Sequence, residues 1–177
     1  SSPINSSDTG YMQRNLIYSQ KLTVLLFLLF GGKGKFLDYA GGYGVFVRLM
    51  RDIGFNYFWA DKYTKNLFAS GFELELNTKL NAITLFEVFE HFENPAEEIK
   101  HLLKYTETII FSTQLRPEPL PNPESWNYYG LHHGQHLAFY SLKTFKYIAN
   151  YYDLNYYNIG SLHILTKSKI SKIKIFL

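Results

Sequence analysis

The chain has 177 residues, of which 46% are hydrophobic and 19% charged, with a net charge of +3 and no cysteine. That length and balance describe one folded domain able to bury a full core, and exclude a disordered chain. They also exclude disulfides, thiolate metal sites and cysteine nucleophiles, and the small net charge gives no electrostatic footprint for nucleic acid. The absence of cysteine fits a reducing, cytoplasmic setting. The whole chain, 1–177, is expected to form a single domain. Its apolar run from Val24 to Phe30 is far too short to span a bilayer.

In chain order, residues 1–10 are polar and turn-rich. Residues 1–32 read as an N-terminal helical extension, with a helix over 14–30 that stops at Gly31 and Gly32. A strand is predicted at 36–39, a helix at 45–53 ending at Gly54, and a second strand at 56–60 ending in Asp61. A short helix is predicted at 65–70. The apolar run 82–86 is the next strand. Asn94 and Pro95 then open a helix to about residue 104, because Asn caps and Pro suits the first helical position. Another buried strand is expected at 108–113. Residues 116–136 contain four of the six prolines and little periodicity, and a loop this long inside a compact domain is usually functional. Ser141 caps a helix to about residue 152. Segments 155–160 and 162–166 read as an antiparallel pair. Alternating strands and helices of this kind build a mostly parallel sheet with helices on both faces. The lysines at 167, 169, 172 and 174 read as a solvated tail.

Three clusters carry chemistry. The first is Phe36-Leu37-Asp38-Tyr39-Ala40-Gly41-Gly42-Tyr43-Gly44, a strand, an acid and a glycine-rich turn opening a helix. Glycines suit a sharp turn that lets backbone approach a ligand, and a helix N-terminus adds N–H donors. A dinucleotide fingerprint G-x-G-x-x-G/A fits badly, since Val47 or Tyr43 falls where a small residue is needed. Asp61, at the end of the following strand, is placed to accept hydrogen bonds from the hydroxyls of an adenosyl ribose, a role that an NAD enzyme would share. The second cluster is Phe86-Glu87-Val88-Phe89-Glu90-His91. If a helical turn forms there, Glu87, Glu90 and His91 share a face. The third runs from Trp126 through Tyr128, Tyr129, His132, His133, Gly134, Gln135 and His136 to Phe139. His136 is read as a general base, a metal ligand or a structural histidine. Trp126, Tyr128 and Tyr129 read either as the lining of an acceptor pocket or as simple packing.

The first cluster resembles the opening motif of class I S-adenosyl-L-methionine (SAM)-dependent methyltransferases, with Ala40 in place of its first glycine. The second resembles the F-E-V-x-E-H motif of small-molecule members. Over about residues 33–167, the resemblance implies a Rossmann-like α/β fold with seven strands, the last antiparallel. It implies SAM bound by Asp38, Ala40, Gly41, Gly42, Gly44, Asp61, Phe86 and Glu87, and adenine contacts among residues 74–77. It implies a small-molecule acceptor beneath 116–136, methylated on a hydroxyl, with His136, His91 and Glu90 as catalytic candidates. The segment Gly134-Gln135-His136 with Phe139-Tyr140-Ser141 resembles a subgroup met beside glycan-modifying enzymes, which points to a sugar or glycan precursor. Glu87, Glu90, His91 and a later histidine are also similar to the metal-binding set of small-RNA 2′-O-methyltransferases, although metal-free relatives carry the same motif. The expectation is no metal. An NAD-dependent oxidoreductase and a methyltransferase-like protein without activity are the alternatives.

Overall fold

The structure is a computed structural model describing residues 10–131 and 136–171. Six strands form one sheet in the order β2-β1-β3-β4-β6-β5. These are β1 (Lys35–Tyr39), β2 (Asn56–Ala60), β3 (Ala82–Phe86), β4 (Thr108–Ser112), β5 (Asn155–Ile159) and β6 (Leu162–Thr166). The first four are parallel, and β6 runs antiparallel to β4 and β5. Four helices accompany them, α1 (Tyr11–Phe30), α2 (Val45–Ile53), α3 (Pro95–Leu102) and α4 (Leu142–Tyr151).

The central strands β1, β3, β4 and β6 are buried on both sides, and their period of two divides the core. Phe36, Ala82, Ile110 and Ile164 face α1 and α2, where Leu22, Leu26, Phe46, Val47 and Met50 cover them. Leu37, Ile83, Ile109, Phe111 and Leu165 face the opposite layer, with Ile99 and Leu102 of α3 and Phe145 of α4. The helix expected within the N-terminal extension is therefore part of the core: α1 buries Tyr18, Leu22, Leu25 and Leu26. Fully burying one such side chain contributes roughly 1.5–3 kcal/mol.

The helix ends follow their local chemistry. Gly31 and Gly54 close α1 and α2 in the left-handed conformation. Asn94 accepts from Glu97 N–H ahead of Pro95. Ser141 and Thr144 form a reciprocal capping box at α4.

Two expectations are corrected. The sheet has six strands, not seven, because the polar stretch after β2 makes only isolated bridges, Glu73 to Trp59 and Leu80 to Thr106. Its Glu, Asn, Thr and Lys residues lack the apolar run that a buried strand needs. Residues 65–70 are not helical. There the Asn66 side chain accepts from Ala69 N–H and donates to Ala69 O. That local hydrogen bonding competes with a helical turn. Among the described residues, no helix is long and apolar enough to cross a membrane.

Candidate active site

Parallel strands in an open α/β sheet present ligands at their carboxyl ends. The turns after β1, β2, β3 and β4 meet there. After β1, Ala40 and Gly42 lie at φ 60° and 55°, and Gly44 at 86°. A Cβ at Gly44 would sit 2.6 Å from Asn66 Oδ1, so both the dihedral and the space require glycine. Ala40 holds the same left-handed conformation with a side chain, at a cost in strain. Beneath the turn, Trp59 Nε1 donates to Gly42 O at 2.9 Å.

Asp38 is buried under this turn. Its Oδ1 accepts from Thr84 Oγ1 at 2.8 Å, and Thr84 in turn accepts from Tyr57 OH. Burial raises the Asp38 pKa to about 7, against the lowering effect of the Thr84 bond, and Asp61 nearby adds to the rise. Asp61 stands at the end of β2 and ties two loops together. Its Oδ2 accepts from Gly42 N–H at 2.9 Å, and its Oδ1 from Tyr63 and Thr64 N–H at 2.8 Å each. With two backbone donors on it, Oδ1 is filled, while Oδ2 keeps a lone pair for a further donor. Phe86 stacks on Tyr18 and meets Phe46 edge-on, so its ring joins the floor of the site to α1 and α2.

Beyond β3, Glu87 adopts φ 55°, a strained value for a side chain of this size and of a kind that concentrates at functional sites. The helical turn covers only Phe89–His91, so Glu87 does not share a face with Glu90 and His91. Its Oε1 accepts from Ser112 Oγ at 2.6 Å and Tyr18 OH at 3.2 Å. Tyr128 OH bridges the two acids, donating to Glu90 Oε1 and lying 3.4 Å from Glu87 Oε2. The same phenol oxygen takes Gln114 N–H at 3.1 Å and lies 3.0 Å from Thr113 Oγ1. Burial, with Glu87 beside it, raises the Glu90 pKa to about 7. Burial, next to both carboxylates, also pushes the Tyr128 phenol up.

Glu90 is 0% exposed, and its carbonyl accepts from Leu137 and Ala138 N–H at 2.7 and 3.1 Å. That anchor sets His136 beside His91, with ring centroids 5.0 Å apart. His136 Nδ1 lies 2.6 Å from Tyr128 O. His132, His133, Gly134 and Gln135 fall outside the described residues. Trp126, Tyr129 and Phe139 pack on one another, which favours packing for Trp126 and Tyr129. A cavity of about 380 Å³ opens beside Glu87, lined also by Arg14, Tyr18, Thr113, Gln114 and His163 among others. His163 donates from Nε2 to Thr113 O, and Tyr156 OH and Asn158 meet its Nδ1. It forms a fixed wall, and burial lowers its pKa.

The glycine turn, Asp38, Asp61, Phe86 and Glu87 are thus brought to one edge of the sheet, and Glu90, His91 and His136 to the next turn. Sequence reasoning did not find Tyr18, Ser112 and His163, and left Tyr128 between two readings. Ser112 and Tyr18 lie 25 and 69 residues from Glu87, and no local pattern marks such partners.

The sequence profile of a family described as "Methyltransferase domain" matches residues 11–159. The chain belongs to this family. The methyltransferase matches no curated protein in sequence. Its fold is that of solved small-molecule methyltransferases. The plantazolicin methyltransferase BpumL, in complex with SAH, aligns with a TM-score of 0.61 at 15% identity, over 93% of this chain and 92% of that one. Magnesium protoporphyrin IX methyltransferase (ChlM) from Synechocystis PCC 6803, with bound SAM, aligns with 0.55 at 14% identity, over 93% and 87%. A possible histamine N-methyltransferase from Thermotoga maritima gives 0.55 at 12%, over 90% and 92%. The Rossmann-like class I fold expected from the motifs is therefore present, with one strand fewer.

Proposed function

We propose that this methyltransferase transfers the methyl group of SAM to a hydroxyl of a small-molecule acceptor, with a sugar or glycan precursor as the acceptor class. The observation that carries the reading is the shared edge of the sheet. There the left-handed turn 40–44, the buried Asp38, and Asp61 on the Gly42 amide adjoin Glu87 and the cavity beside it.

In this reading SAM lies over residues 38–44. Its ribose meets the remaining lone pair of Asp61 Oδ2, and its ammonium and sulfonium lie near Asp38 and Glu87, where opposite charge is favourable. The acceptor oxygen forms the new C–O bond with the methyl carbon as the C–S bond breaks. The bonding pair stays on sulfur and the hydroxyl proton leaves. Holding the two reactants in line supplies much of the acceleration. His91 and His136 position and deprotonate the acceptor, and Glu90 holds them in place from beneath. Glu90 is too buried to touch it, so it acts through the segments it anchors.

Isothermal titration calorimetry with SAM, with NAD as control, tests the reading. Micromolar SAM binding without NAD binding is expected. A folded protein that ignores SAM, or prefers NAD, overturns it.

A further inference from the structure

Glu90, His91 and His136 each place one ligand-capable atom within 4.8 Å of the others. Two features of this group go beyond proximity. Among the described residues, Glu90 Oε2 is the one buried side-chain oxygen or nitrogen with no hydrogen-bond partner, although the side chain is 0% exposed. Leaving such an oxygen unsatisfied is costly, and a cation beside it would remove that cost. His136 is also set in one tautomer. A carbonyl only accepts, so the contact to Tyr128 O places the proton on Nδ1 and leaves the ring lone pair on Nε2. Metal-bound imidazoles are oriented in this way, by donating their other nitrogen to a carbonyl or carboxylate. Tyr128 holds two members of the group at once, accepting from His136 at its carbonyl and donating to Glu90 Oε1 through its hydroxyl.

We propose that Glu90, His91 and His136 form a binding site for one first-row divalent cation. Two imidazoles and one carboxylate suit Zn²⁺ or Mn²⁺ better than Mg²⁺ or Ca²⁺, which take oxygen ligands. Such an ion sits about 2.0–2.2 Å from its nitrogen and oxygen ligands, within reach after small side-chain adjustments. Glu87 is not a member, because its carboxylate is turned to Ser112 and Tyr18. Three protein ligands leave coordination positions open. If the donor assignment under Proposed function holds, an acceptor oxygen takes one of them; the two imidazoles then act through the ion rather than as direct bases, and the cation lowers the pKa of the hydroxyl so that its proton leaves to water. The site then selects acceptors with a metal-binding hydroxyl or vicinal pair.

The test uses the tag-free full chain, stripped with chelator, dialysed and titrated with Zn²⁺ by calorimetry and with Mn²⁺ by electron paramagnetic resonance. One equivalent of at least one ion is expected to bind. His91→Ala, at an exposed position that leaves the core intact, and Glu90→Gln, which keeps an acceptor for Tyr128, should each weaken binding at least tenfold. His101→Ala, on α3, should leave it unchanged. SAM affinity, measured in parallel, should stay within twofold throughout. No saturable binding by the wild-type chain, or equal affinity in His91→Ala and Glu90→Gln, overturns the proposal. Metal binding with these losses but no SAM binding leaves the metal site standing and removes the donor assignment instead.

Discussion

The two sides of the site are built by different means. On the glycine-turn side, the turn after β1 and the end of β2 come from short, nearly contiguous segments. Asp61 on Gly42 and Trp59 on Gly42 each span fewer than twenty residues. On the acceptor side, one phenol draws together groups far apart in the chain: Tyr128 reaches Glu90 and Glu87, 38 and 41 residues away. Tyr18 on α1 reaches Glu87 across 69 residues. The first side is a local conformation that the backbone chemistry dictates. The second exists only once α1, β3, β4 and the segment around Tyr128 have packed. Donor binding and acceptor organisation should therefore respond to different substitutions.

The largest expected effect tests how far the first side is loaded before any ligand arrives. Burial holds the Asp38 pKa near 7 in the fold, against about 4 in an unfolded chain. Between those values the unfolded chain has released this proton and the folded chain keeps it. The stabilising contribution is therefore complete below about pH 4, falls as pH rises, and is gone above about pH 7. Urea unfolding at pH 5 and pH 8 should show the wild type losing on the order of 2–3 kcal/mol relative to Asp38→Asn. Parallel pH profiles for the two proteins would remove Asp38 as a buried acid.

Next in size, Asp61→Ala removes both a proposed ribose acceptor and the brace on Gly42 N–H. SAM affinity measured by calorimetry should fall about 30-fold, on the order of 2 kcal/mol. Unchanged affinity would take Asp61 out of the ribose role.

Tyr128→Phe is the matching cut on the other side. Hydrogen exchange at the amides of Gln114, Leu137 and Ala138 should speed up about tenfold, as expected for loss of roughly 1–1.5 kcal/mol of hydrogen bonding. SAM affinity should stay within twofold. A drop as large as that of Asp61→Ala would show that the two sides are one unit.

The smallest effect is Ala40→Gly. Relief of the left-handed strain at φ 60°, less the added chain entropy of glycine, should raise stability by roughly 0.5–1 kcal/mol in thermal melts. A loss of stability would mean that the Ala40 side chain makes a contact worth more than its strain.

The sequence by itself determined the elements and the glycine-turn side of the site. Apolar runs, glycine stops and the caps at Asn94 and Ser141 act within a few residues, so they can be read without the fold. The same holds for the turn from Asp38 to Gly44 and for Asp61 at the end of a strand. The short helix at 65–70 and the seventh strand failed for local reasons too, in the Asn66 turn and the polar stretch behind it. Only the tertiary structure decided the rest. It split Glu87 from Glu90 and His91 by starting the helical turn at Phe89. It made Tyr128 the link between two carboxylates, and it used the Glu90 carbonyl to bring His136 beside His91. Partners tens of residues apart leave no spacing in the sequence, because chain folding, rather than local backbone geometry, sets the distance between them.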